Sequence, residues 1–171
     1  MNVLLDEATI KRRVAAIAQE IEHCYGEKPF VLLVILKGAF VFAADLFREI
    51  RSPAVRVEFL RLASYRGTSS SGAVILPPPE EIARFAQRDV LIVEDIVDTG
   101  LTLSVLSDAL YAQGARSVRI CALLEKSTVN KGRVKIDFLG FSIPDLFVVG
   151  YGLDCDEKYR NLPFVAVYDG T

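Results

Sequence analysis

The sequence predicts an α/β fold, a parallel twisted sheet flanked by helices. Two observations carry this. Short apolar runs of strand length recur, Val31 to Leu36 and Val90 to Val93 foremost, and stretches of helical periodicity separate them. Strands apolar on both faces belong in the middle of a parallel sheet, and strand–helix alternation implies right-handed crossovers. The chain's 171 residues are one domain's length. Its 51% hydrophobic and 25% charged residues suit a single buried core rather than disorder.

The elements follow in order. Ile10, Val14, Ile17, Ala18 and Ile21 recur at helical spacing, with Asp6 or Thr9 as the cap and Pro29 closing the region. Val31 to Leu36 is the first core strand. Lys37-Gly38 follows, then a helix from Ala39 to about Ile50. Val55 to Leu60 alternates as a strand. Residues 62–79 hold Gly67, a Thr-Ser-Ser-Ser run, Gly72 and three prolines, Pro77 to Pro79, and read as a long polar, mobile loop. Val90 to Val93 is the next buried strand. The helix from Thr99 puts Leu103, Leu106 and Leu110 on one face and stops at Gly114. Val118 to Leu124 is a strand, with shorter candidates at 135–139, 146–150 and 164–168. In such sheets ligands sit beyond the carboxyl ends of the strands.

Charge and composition exclude several functions. Twenty Lys+Arg against twenty-two Asp+Glu leave a net charge of −2, so no overall positive field holds nucleic acid. No apolar run is long enough to span a bilayer, and the start of the chain lacks the pattern of a secretory signal. Cys24, Cys121 and Cys155 are odd in number and far apart, which disfavours a disulfide framework or zinc site and fits a reducing cytoplasm. His23 is the only histidine. A bound metal is therefore expected to be hard and oxygen-ligated, such as magnesium.

The sharpest segment runs Val90-Leu91-Ile92-Val93-Glu94-Asp95-Ile96-Val97-Asp98-Thr99-Gly100-Leu101-Thr102. A buried strand delivers two adjacent carboxylates, a third follows, and a Thr-Gly-x-Thr turn opens a helix. Such a turn offers backbone N–H groups and two hydroxyls to a phosphate monoester. The plainer alternative is that Asp98 and Thr99 cap the helix and Glu94-Asp95 is a solvated strand end.

This string resembles the phosphoribosyl-diphosphate motif of the type I phosphoribosyltransferases, in the version that begins Glu-Asp and carries Asp before Thr-Gly. That version is most similar to the hypoxanthine-guanine branch of the family. Four further segments match in order: Leu36-Lys37-Gly38, the diphosphate-binding turn; Ser64-Tyr65 with Gly67 to Gly72, the closing loop; Leu124-Glu125-Lys126-Ser127, the strand end with a purine-reading lysine; and Ile143 to Asp154 with Tyr159 to Pro163, the purine-binding hood. Leu101 fills a slot that is Lys or Asn in some relatives, so only its backbone is expected at the phosphate. The three prolines are unusual for the family.

The resemblance implies a single domain over 1–171, with a hood from about 143–171 and part of the N-terminus. It implies purine salvage: transfer of 5-phosphoribosyl from phosphoribosyl diphosphate to hypoxanthine or guanine, giving IMP or GMP plus diphosphate. Phosphoribosyl diphosphate would be held by Lys37, Gly38, Ser64, Tyr65, the unbroken stretch Glu94, Asp95, Ile96, Val97, Asp98, Thr99, Gly100, Leu101 and Thr102, and Arg160. Asp98 would take a proton from the purine. Lys126, Phe147, Val148 and Asp154 would line the base site, and Glu94, Asp95 and Asp154 would hold magnesium. A cytoplasmic homo-oligomer, dimer or tetramer, is expected, with no nucleic-acid or membrane partner. The alternatives are a xanthine-preferring enzyme, a pyrimidine-sensing RNA-binding regulator of the same fold, and a non-catalytic flavodoxin-like module, which would need none of the distal motifs.

Overall fold

The structure, a computed structural model, describes residues 1–64 and 74–170. Helix α1 (Glu7–Tyr25) begins where the Asp6 carboxylate accepts from Thr9 N–H at 2.7 Å, so Asp6 rather than Thr9 is the cap. That bond holds the Asp6 carboxyl below its ordinary value. The five residues at helical spacing are all buried.

Five parallel strands form the central sheet: β2 (Phe30–Leu36), β3 (Val55–Arg61), β6 (Asp89–Val97), β7 (Ser117–Lys126) and β8 (Phe138–Ile143), in the order β3-β2-β6-β7-β8. Alternating side chains of β2 and β6 feed two cores. Leu32, Val34, Leu91 and Val93 pack with α1 and with α2 (Phe40–Glu49), which contributes Phe42, Ala43 and Leu46. Val31, Leu33, Val90 and Ile92 pack with α4 (Leu101–Ala112) through Leu103, Leu106 and Leu110. Burying each such side chain contributes about 1.5–3 kcal/mol, which explains why both strands are apolar throughout.

Some elements differ from the sequence expectation. The strand expected at 135–139 is β8, from Phe138: the Asp137 carboxylate accepts from Ile120 N–H instead of extending an apolar strand upstream. The stretch expected as one loop, 62–79, carries the short pair β4 (Ala63–Ser64) and β5 (Val74–Ile75) and enters α3 (Pro79–Ala83), where Pro79 suits the first helical turn. A short α5 (Ser127–Asn130) follows β7.

The chain ends build a small antiparallel sheet: β1 (Asn2–Leu5) pairs with β10 (Val165–Val167), which pairs with β9 (Val148–Val149). Tyr151 O–H donates to the Asp45 carboxylate at 2.7 Å and fastens this layer to α2. The chain steps from β2 outward to β3, then returns to place β6 on β2's other side. The carboxyl ends of β2 and β6 therefore flank the topological switch point, where a crevice opens.

Candidate active site

The turn after β2 and the end of β6 meet at that crevice. The Leu36–Lys37 peptide bond is cis. A Cβ built on Gly38 would fall on the Asp95 carboxyl, and one on Gly152 would fall on the Gly38 carbonyl. Gly38 is thus clasped between β6 and the hood, and only glycine admits so close an approach.

A cavity of about 350 Å³ lies here, walled by Gly38, Glu94, Asp95 and the turn from Asp98 to Thr102. Gly100 takes a left-handed φ of 72° and starts α4 without a side-chain cap; Thr99 Oγ1 accepts weakly from Leu101 N–H at 3.3 Å. The first residues of this twelve-residue helix line the cavity, and a helix start without a side-chain cap suits an anion. Behind the turn, the buried Asn130 side chain donates to Glu125 and exchanges bonds with the Val134 backbone, and its Oδ1 lies 2.6 Å from where a Gly100 Cβ would be.

A second cavity, of about 230 Å³, adjoins the first. The two share Asp95, Ile96 and Asp98. Its remaining wall includes Lys126, Phe147, Val148 and Asp154. Lys126 is 13% exposed; its Nζ lies 2.8 Å from Asp145 and 3.9 Å from Asp98. Phe147 is half exposed and meets Tyr168 edge-on, with ring centroids 5.8 Å apart, so one face is open to a flat ligand. Asp98 is exposed, and no hydrogen bond joins it to the start of α4, so the capping alternative fails for it.

Glu94 and Asp95 stand side by side. Burial, with the Asp95 carboxylate next to it, pushes the Glu94 carboxyl well above its ordinary value, although the residue as a whole keeps some exposed surface. Two crowded, partly desolvated carboxylates suit hydroxyl donors or a hard cation. Asp154 is engaged on both oxygens, by Arg160 at 2.8 Å and by Glu157 N–H at 2.9 Å. Among the described residues no cluster of three or more acidic, cysteine or histidine side chains forms a metal cage. Magnesium needs none, since it takes one or two carboxylates and fills its shell with phosphate oxygens and water.

Lys37 and Arg160 line neither cavity. They meet beside it through Glu157: Lys37 Nζ lies 2.9 Å and Arg160 Nη2 3.4 Å from its carboxylate. Ser64 is in β4, and Tyr65 lies outside the described residues, as does the Gly67–Gly72 part of the expected closing loop. Asp145 and Leu153 lie within the segment matched as the hood but were not singled out as site residues, and Glu157, between the matched segments, left no local signal. A larger groove of about 650 Å³ lies between α1, α2 and residues 160–163 and includes no residue of the Glu94–Thr102 segment.

The model of the phosphoribosyl transferase domain matches residues 2–156. The chain belongs to this family. Among curated members, the hypoxanthine-guanine phosphoribosyltransferase of Mycobacterium tuberculosis is 41% identical over 98% of this chain and 86% of its own length. The hypoxanthine phosphoribosyltransferase of Salmonella typhimurium is 43% identical over 96% and 93%. Among solved members, a hypoxanthine-guanine phosphoribosyltransferase of Bacillus anthracis superposes with a TM-score of 0.87 at 37% identity, covering 98% of both chains. The phosphoribosyltransferase fold therefore spans the sheet and the small layer made by the chain ends.

Proposed function

We propose that this phosphoribosyltransferase transfers 5-phosphoribosyl from phosphoribosyl diphosphate to N9 of hypoxanthine or guanine, giving IMP or GMP and releasing diphosphate. The observation that carries the reading is the pair of joined cavities. One is walled by a helix start without a side-chain cap and by paired carboxylates. The other is walled by an ammonium and an open aromatic face, and Asp98 stands where they meet.

Breaking the anomeric C–O bond builds positive charge on the sugar and negative charge on the diphosphate. Thr99, Gly100, Thr102 and the amides around Leu101 hold the 5′-phosphate. Glu94 and Asp95 take the ribose hydroxyls, which offers their crowded carboxyls donors. Asp98 accepts the N7 proton and makes the ring a better nucleophile. Lys126 donates to O6 and finds no acceptor in a 6-amino group, so adenine is disfavoured. Phe147 stacks on the base beside Val148. Lys37 and Arg160 neutralise the departing diphosphate. Magnesium would be held by one or two carboxylates, from the Glu94–Asp95 pair or Asp154, together with substrate oxygens, and would supply further charge neutralisation.

A cytoplasmic, homo-oligomeric protein completes the proposal. Free Cys24, Cys121 and Cys155 support a reducing compartment, and exposed Phe40 and Phe47, seven residues apart on α2, support contact with a second copy. Among the described residues no helix is long and apolar enough to cross a membrane. The decisive experiment follows diphosphate release with hypoxanthine, guanine, xanthine and adenine in turn, with magnesium and with excess EDTA. Release with the 6-oxopurines, little with adenine and none in EDTA is expected. Equal turnover of adenine would overturn the base assignment, and full activity in EDTA the magnesium assignment.

A further inference from the structure

We propose that Glu157 occupies the leaving diphosphate's electrostatic place in the empty enzyme and competes with it for Lys37 and Arg160. The proposal rests on the reading of those two cations as diphosphate ligands. Its geometric basis is one carboxylate spanning both, Oε1 at 2.9 Å from Lys37 Nζ and Oε2 at 3.4 Å from Arg160 Nη2. This contact links the turn after β2 to a loop 120 residues away.

The three partners are unequally held. Arg160 is 19% exposed, donates to the Gly152 carbonyl at 2.7 Å and is ion-paired with Asp154 at 2.8 Å, so it keeps its place without Glu157. Glu157 is 65% exposed and can turn into water at little cost. Among the described residues it is the sole acidic partner of Lys37. The carboxylate is thus the movable member, and an incoming anion with more charge can displace it.

The loop aims this side chain. Asp156 and Glu157 both take left-handed φ values, 51° and 62°, and Glu157 N–H donates to Asp154. Side-chain residues stand where glycine would be less strained, which points to a use for the side chain.

Two effects follow for the reaction. The empty enzyme keeps Lys37 beside the crevice rather than free in solvent. After transfer, the returning carboxylate competes with bound diphosphate and favours its release. Exposed ion pairs are individually weak, so the effect is one of tuning.

The test is inhibition by inorganic pyrophosphate, with magnesium present and phosphoribosyl diphosphate varied. Glu157→Gln is exposed and nearly isosteric. It should lower the pyrophosphate Ki by about two- to fivefold, the range of an exposed ion pair, and leave the purine KM unchanged. Lys37→Ala should raise the Ki, and in that background the effect of Glu157→Gln should shrink. An unchanged or raised Ki in Glu157→Gln, with Lys37→Ala still weakening pyrophosphate, overturns the placeholder alone. An undiminished Glu157→Gln effect without Lys37 overturns the shared-cation geometry. A Ki indifferent to Lys37→Ala overturns the reading of Lys37 on which the proposal stands.

Discussion

Gly38→Ala tests the clasp at the centre of the site. The added Cβ would fall on Asp95 Oδ2, 2.5 Å from its Cγ and 3.2 Å from Oδ1; no other atom is as near. Asp95 must swing away. Its present rotamer lets Oδ1 accept from Ile96 N–H at 2.9 Å, and the swing breaks that bond. One net hydrogen bond contributes about 0.5–1.5 kcal/mol. An off-rotamer side chain costs about 0.5–1.5 kcal/mol. The variant should lose ~1–3 kcal/mol of stability, which lowers Tm by about 2–12 °C in a domain of this size. Activity should fall further than stability implies, because Asp95 then leaves the ribose. A hydrogen bond to a charged group contributes about 1.5–3 kcal/mol, so kcat/KM for phosphoribosyl diphosphate should drop about 10–150-fold. Thermal unfolding and steady-state kinetics read both effects, and the decisive comparison uses Asp95→Ala. In that background the obstacle is gone, and Gly38→Ala should cost less than about 0.5 kcal/mol. An equal penalty in both backgrounds, or wild-type kcat/KM in the single variant, would refute the reasoning.

Three further outcomes are expected. Lys126→Ala should raise the KM of hypoxanthine more than that of phosphoribosyl diphosphate; the opposite split would remove Lys126 from the base site. Asp98→Asn should lower kcat by about 10²–10⁴-fold with little change in Tm, since Asp98 does not cap α4; near-normal kcat would mean the purine proton leaves by another route. Glu94→Gln should raise Tm in ligand-free protein at neutral pH. The folded Glu94 carboxyl is raised, so the native state binds the extra proton and stability falls as pH rises from the ordinary carboxylate range through the folded value. The gain should vanish below that ordinary range, and a gain independent of pH would contradict the assigned cause.

The sheet's centre was legible because β2 and β6 are buried on both faces and only apolar residues suit that place. The length of β6 was not. Its ladder to β7 continues past Val93 through Glu94↔Ala122, Ile96↔Leu124 and Val97↔Glu125, so hydrogen bonding carries a strand through residues whose polarity suggests its end. Strand β1 escaped for a different reason. Val3, Leu4 and Leu5 are too few to show a period, and their partner is Val165–Val167 at the far end of the chain. The phosphate turn was legible because its parts are contiguous, strand, carboxylates and glycine. The ion pairs were not: Lys126 meets Asp145 across 19 residues and Lys37 meets Glu157 across 120, and no local pattern marks either carboxylate.

Those ion pairs bear on what the site lacks. At the carboxyl end of the sheet, Lys126 stands between Asp98 and Asp145, Arg160 holds Asp154, and Lys37 holds Glu157. Each of these carboxylates has a cation within 4 Å. Among the described residues, Glu94 and Asp95 form no such ion pair, and burial, with the neighbouring Asp95 carboxylate second, raises the Glu94 carboxyl. A protein could relieve such a pair with an arginine, yet a built-in cation would occupy the space between the phosphate turn and the base cavity. Leaving the pair crowded keeps that space open and makes it most favourable to a ligand that brings donors or positive charge. On the proposed function, ribose hydroxyls would supply donors, magnesium would supply charge, and an anomeric carbon turning cationic would supply charge only in the transition state. An unrelieved carboxylate pair therefore gains most at the moment of bond breaking, which is the differential stabilisation that a glycosyl transfer requires.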